Sequence, residues 1–444
     1  MIKHKRWTTC TAAALISAPI LLSSWLALAA DRGPTPSPIG PAVTPSGLPA
    51  IVVARDERPS ADRAAKKAKE PPPPPAAQQK LPPRVPFTAA EDAASVIPGM
   101  PDARFFMDSV ADYKNALPQQ PGPWLILSSG GADGAFGAGL IVGLTAAGAR
   151  PAYPVVTGVS TGALMAPFIF AGPRYDDTLR EAYTKITAAD VFEAGSSTGE
   201  SFVNSWPLRD FIAKEMTPAV LGDVAAEHRR GRRLFVVTSD LDAERSVVWN
   251  MGAIAAHGGD DALKLFRSVL LASASIPGGF PPVMIDVEAN GKRFQEMHVD
   301  GGLGGQFFVA PPALMAPVSD YKLPATQLYI VVNTSLQRFF KVVDRFAPDI
   351  LTQSIGMAVP VDTRLMMDRA YVVARRSGIP FNVATIPESF NAPSKGAFDP
   401  KYMGALFQVG FEQGRGASPF SSQPPPYPGE PPSQSSHIEK TGAN

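Results

Sequence analysis

Between residues 124 and 170 the chain twice repeats one pattern: a short apolar run, a glycine-bearing turn, then an apolar helix-forming run. Residues 124–128 lead through Gly130-Gly131-Ala132-Asp133-Gly134 into a helix expected over about 136–147, ended by Gly148. Residues 153–157 lead through Gly158-Val159-Ser160-Thr161-Gly162 into a second helix, 163–170. Strands linked by helical crossovers pair in parallel. Further strands are expected at 234–239, 247–251, 294–299, 329–333 and 381–386, with helices at 261–272 and over most of 350–377. This alternation predicts an α/β fold in three layers, a mainly parallel central sheet flanked by helices.

Composition narrows the function classes. The 444 residues are 45% hydrophobic and carry a formal net charge of +1, which is compatible with a large core. Nothing in that balance suggests a nucleic-acid partner, which calls for a basic excess. A single cysteine, Cys10, rules out a disulfide framework and a thiolate metal cluster, and five histidines make a His-rich metal site a poor expectation. Of the 47 prolines, 16 fall in residues 31–100 and 7 in residues 418–444. Both stretches lack periodicity and read as proline-rich disordered segments, so one domain is expected over 101–417.

The N-terminus reads as an export signal. Lys3, Lys5 and Arg6 precede an apolar run from Ala12 to Leu28, which ends in the small-x-small pattern Ala27-Leu28-Ala29. Residues 1–30 are therefore expected to direct the chain to the periplasm, the envelope or the outside; the other reading is an uncleaved membrane anchor. Residues 31–100 would then be a spacer.

Gly158–Gly162 spells G-x-S-x-G, with a strand before it and a helix after it. A serine on so tight a turn is held with its hydroxyl above the sheet, and its neighbours two positions away must be small. Ser160 is therefore the candidate nucleophile. Its base must come from elsewhere. No histidine occupies a late position in the folded core, and His298, in a strand, suits a hydrogen-bonded structural role. Asp300, at a strand end before Gly301 and Gly302, stands where an open α/β sheet binds ligands. By spacing alone it is either the base or a turn-capping carboxylate. The loop Gly130–Gly134 offers unobstructed backbone amides, at Gly130, Gly131 and Ala132, for an oxyanion. It fails the dinucleotide pattern G-x-G-x-x-G, because position 129 is Ser.

These three elements, in this order, resemble the patatin-like phospholipase family. The matching stretches are Ser129 to Gly134, Gly158 to Gly162 and Asp300 to Gly302. Ala272-Ser273-Ala274-Ser275-Ile276-Pro277 and Phe280-Pro281-Pro282 are similar to a block that precedes the family's aspartate, and Thr238-Ser239-Asp240-Leu241-Asp242 to an earlier strand and turn. The resemblance covers 124–312. It implies the patatin-like three-layer fold, a Ser160–Asp300 dyad, an oxyanion loop at Gly130–Ala132, a lipid or membrane-surface substrate, and no metal or organic cofactor. Two residues depart from the pattern: Ser129 replaces the usual glycine, and Asp133 replaces a cation. Asp133 is expected either to face the substrate and disfavour anionic lipids or to cap the helix at Phe136. Phe136, Phe168, Phe170 and Phe280-Pro281-Pro282 are candidates for an apolar entry. The expectation is a lipolytic acyl hydrolase. The alternative is an inactive lipid-binding or envelope scaffold protein with the same fold.

Overall fold

The computed structural model describes residues 81–195 and 198–427. The expected export signal, most of the spacer and the tail beyond residue 427 lie outside the described residues. Nine strands form one sheet: β1 (Arg104–Phe106), β2 (Pro123–Leu127), β3 (Val155–Val159), β4 (Arg233–Asp240), β5 (Arg245–Asn250), β6 (Val283–Ala289), β7 (Lys292–Asp300), β8 (Gln327–Val332) and β9 (Phe381–Thr385). The order is β1-β5-β4-β3-β2-β8-β9, with β7 also paired to β4 and β6 paired to β7. Strands β4, β3, β2, β8 and β9 are mutually parallel; the pairings made by β1, β5, β6 and β7 are antiparallel. The sheet is thus mainly parallel at its centre.

Alternation along β2 explains why both faces are covered. Leu125 and Leu127 enter one core, whereas Trp124 and Ile126 enter the other. All four are essentially inaccessible to water, and burial of such a side chain is worth about 1.5–3 kcal/mol. The first core lies under α1 (Gly134–Ala146), α2 (Thr161–Ala171), α3 (Asp176–Thr184), α4 (Trp206–Glu215), α5 (Pro218–Arg229), α6 (Met251–His257) and α7 (Gly259–Ser273). The second lies under α8 (Ala347–Ser377), through Met367, Ala370 and Val373.

Helix α1 is apolar all round because it is sandwiched between the sheet and α9 (Pro400–Arg415). The two backbones interlock through glycines. A Cβ on Gly139 would lie 2.0 Å from the Phe407 carbonyl oxygen, and one on Gly410 would lie 2.1 Å from that of Phe136. Gly143 and Gly414 repeat the arrangement one turn on.

The proline-rich boundaries differ from expectation. Residues 81–100 belong to the packed body: Ile97 and Met100 are core residues, Phe87 stacks on Phe294, and Arg84 pairs with Asp242. Ser421, in the expected C-terminal tail, exchanges backbone hydrogen bonds with Val383 of β9. Proline excludes residues from sheet interiors but not from packing on an edge, and apolar residues between the prolines supply the contact.

Candidate active site

Sheet register places the two candidate catalytic residues. On one edge of β4, β3 runs until Val159 pairs with Val237. The same edge is then taken over by β7, in which Asp300 pairs with Thr238. Ser160 and Asp300 therefore meet end to end where one neighbour stops and the other begins. The Ser160 hydroxyl is close enough to the Asp300 carboxylate to favour its charged form.

Ser160 has φ 54° and ψ −122°, a strained conformation for a residue with a side chain. The turn tolerates nothing larger than glycine on either side. A Cβ on Gly158 would lie 2.4 Å from the Gly162 carbonyl oxygen, and one on Gly162 would lie 2.5 Å from that of Leu127. The Ser160 amide donates to Ser273 Oγ at 3.0 Å, and that hydroxyl donates to the Val237 carbonyl at 2.7 Å. Ser273 thus ties the turn to α7 and β4. Its importance was not readable beforehand, because it lies 113 positions away.

Asp300 accepts a 2.7 Å hydrogen bond from the Gly302 amide, and its own amide donates to the Ser275 carbonyl. Burial raises its pKa to about 7, against the opposing effect of the Gly302 amide and the Ser160 hydroxyl. Gly301 lies against β4, where a Cβ would meet the Val237 carbonyl oxygen at 2.4 Å.

The glycine loop follows β2 and packs beside this pair. Gly130 is pressed against Asn333: a Cβ there would sit 1.6 Å from the Asn333 carbonyl oxygen. Gly131 has φ 55° and opens a helical turn, Gly131–Asp133, whose first amides have no acceptor within the turn. Gly131 borders the same cleft as Ser160, whereas Ala132 packs against the core. A Cβ on Gly134 would collide with Thr161 Oγ1 at 2.2 Å, so this glycine lets the two turns come together.

Ser129 has a positive role. Its hydroxyl donates to Gln306 Oε1, its amide donates to the Gln306 carbonyl, and Gln306 Nε2 donates to the Gly302 carbonyl. The glycine loop is thereby laced to the loop that carries Asp300.

Asp133 corrects both expectations. Its carboxylate makes no cap to α1 and does not border the cleft. It is fully buried and accepts a hydrogen bond from Tyr402 Oη at one oxygen, while the other, Oδ2, is buried without a partner. Burial raises its pKa to about 7. The reason is α9: its docking on α1 brings Tyr402 over the loop and seals the carboxyl from water.

The cleft above Ser160 has a volume of about 70 Å³ and is almost wholly apolar. Leu164, Phe168, Ile186, Leu208, Phe280 and Met403 line it. Of the expected entry aromatics, Phe168 and Phe280 are there; Phe136 and Phe170 are instead fully buried in the core.

His298 is buried in β7, between Thr238 Oγ1 at 2.9 Å and Glu296 Oε2 at 3.1 Å. Among the described residues, Asp240, Glu296 and His298 form the group whose ligand-type atoms approach within 4.8 Å of one another. Arg104 supplies a positive charge beside Glu296. Its guanidinium pairs with Glu296 and lies over Trp249. Burial opposes ionisation of Glu296, but Arg104 and His298 outweigh it and lower its pKa to about 2. The cluster is a structural ion pair behind the site.

Residues 125–313 match the family model described as patatin-like phospholipase. Among solved structures the chain is similar to VipD from Legionella pneumophila, with 11% identity, a TM-score of 0.33, and coverage of 67% of this chain. The match spans 66% of that protein, just under two thirds of its length. No curated protein matches the chain. The segment that holds the glycine loop, the G-x-S-x-G turn and Asp300 is a patatin-like phospholipase domain, the fold of a lipid acyl hydrolase.

Proposed function

We propose that this chain is an exported lipid acyl hydrolase that works through a Ser160–Asp300 dyad. The observation that carries the reading is the meeting of Ser160, on a strained turn that borders an apolar cleft, with the buried Asp300 carboxylate at adjacent ends of β3 and β7. Ser160 Oγ attacks the ester carbonyl while Asp300 takes its proton, then returns it to the departing alcohol. Water, deprotonated by Asp300, releases the acyl group and restores Ser160. The amide of Gly131, with its loop neighbours Gly130 and Ala132, stabilises the oxyanion; such a donor is typically worth about 10²–10³ in rate. A carboxylate with its pKa near 7 is well matched to moving this proton at neutral pH. The acyl chain lies along Leu164, Phe168 and Phe280.

A non-catalytic lipid binder drew its support from an anion in the oxyanion loop. With the Asp133 carboxyl turned to Tyr402, that objection to catalysis falls away. Export is proposed from the leader-like residues 1–30. The test is a fluorophosphonate probe on purified protein, followed by mass spectrometry of the labelled peptide. Labelling of Ser160 supports the hydrolase, and an unlabelled, folded protein rejects it.

A further inference from the structure

Helix α8 has two apolar faces, and only one is covered. Met367, Ala370 and Val373 face the sheet. Ile350, Met357, Val361, Leu365 and Val372 are exposed, Met357 by 68%. Their spacing of seven, four, four and seven residues puts them in one stripe along a helix of 31 residues. Contiguous exposed apolar surface of this kind marks an interaction site. No helix among the described residues is long and apolar enough to cross a membrane.

The segment entering this helix says what the partner is. Arg338-Phe339-Phe340-Lys341-Val342-Val343-Asp344-Arg345-Phe346 interleaves three cations with apolar and aromatic residues, against one acid. Phe340 is 85% exposed and Val342 78%, and Arg338, Lys341 and Arg345 are exposed beside them. Exposed aromatics settle at the headgroup level of a bilayer, and cations near its surface are attracted to anionic lipid by about 1 kcal/mol each. A second copy of the chain would use the stripe but has no need of the cations.

This face is joined to the cleft. Leu351 packs where a Cβ on Gly278 would be, 2.8 Å from Leu351 Cδ2, and Gly278 lies between the cleft residues Ile276 and Phe280. Further along, Met366 Sδ accepts from the Gln306 amide at 3.2 Å, beside the Asp300 loop. We propose that residues 338–346 and the outward stripe of α8 form a docking surface for an anionic lipid bilayer, which seats the cleft on its substrate. The seating role, unlike the binding itself, rests on the hydrolase reading.

Binding is measured with the Ser160→Ala protein, by co-sedimentation with phosphatidylcholine vesicles with and without phosphatidylglycerol. Binding is expected to need phosphatidylglycerol and to weaken with salt. Arg338→Glu with Lys341→Glu, and separately Phe340→Ser with Val342→Ser, should each cost at least about tenfold in binding, which corresponds to about 1.4 kcal/mol. With Ser160 present, both pairs should keep the parent's Tm and its kcat/KM on a soluble short-chain ester while losing vesicle hydrolysis. A parent that ignores anionic vesicles, variants that bind as the parent does, or a dimer that the Phe340 and Val342 changes dissociate would each overturn the proposal. Intact vesicle binding by a chain with no esterase activity would support the surface and reject the hydrolase.

Discussion

The Tyr402 phenol donates a 2.7 Å hydrogen bond to Asp133, joining residues 269 positions apart and closing the glycine loop from behind. An acid that in sequence stands among the loop's candidate oxyanion amides is thereby made part of the wall between the loop and α9. Asp133→Asn should leave unchanged the ratio of kcat/KM for an anionic phospholipid to that for a neutral ester. Asparagine keeps an acceptor oxygen for Tyr402 but puts an NH2 group in the buried place of the unpartnered Oδ2, so Tm at pH 5 should fall by the equivalent of about 1 kcal/mol. A raised preference for the anionic lipid would place the carboxylate in the cleft instead.

The same carboxyl shapes the pH dependence of stability. Its folded pKa of about 7 lies above that of an unfolded Asp, about 3.9, so between these values the native state holds the extra proton. Stability contributed by Asp133, and likewise by Asp300, is therefore present at low pH and lost as pH rises toward 7. Each pKa unit is worth about 1.4 kcal/mol. Denaturant titrations at pH 5 and pH 8 should show this decline, and Asp133→Asn should reduce it.

Ser160→Ala should abolish ester turnover and probe labelling with a change in stability within about 0.5 kcal/mol, since the hydroxyl fills no core space. Residual turnover by the purified variant would move the nucleophile elsewhere.

Asp300→Asn should be nearly as damaging, because an amide cannot accept the serine proton. In the parent, kcat/KM should fall about tenfold per pH unit below about 7, as Asp300 protonates. His298→Ala should lower Tm, because Thr238 and Glu296 lose a buried partner, while the folded fraction keeps substantial activity. An inactive, folded His298→Ala protein beside an active Asp300→Asn protein would replace the dyad with a histidine mechanism.

Ser273→Ala removes the acceptor for the Ser160 amide and leaves a buried donor unpaired, at a cost of about 1–3 kcal/mol. Because the turn is strained, kcat should fall with KM little changed. A loss of Tm with normal kcat would make Ser273 structural alone.

Local chemistry made part of this site legible. Strand, turn and helix are short-range patterns, and the glycines at 158 and 162 are demanded by clashes within the turn or with the adjacent β2 strand. What pattern could not reveal is contact across long separations. Residues 313–417 carry no recognised motif, yet they supply α9, with Gly410 and Gly414 against α1, and Tyr402 against Asp133. Residues 81–100 share the proline-rich character of a spacer, yet Ile97 and Met100 sit in the core.

The chain by itself determined the parallel sheet, the serine turn and the aspartate at a strand end, because each depends on neighbours a few residues away. Only the tertiary structure decided that Ser160 and Asp300 share one edge of β4, since that follows from where β3 stops and β7 begins. It also decided the direction in which Asp133 points. A buried carboxyl takes the environment that packing leaves it, and here α9 arrives from the far end of the chain to supply it.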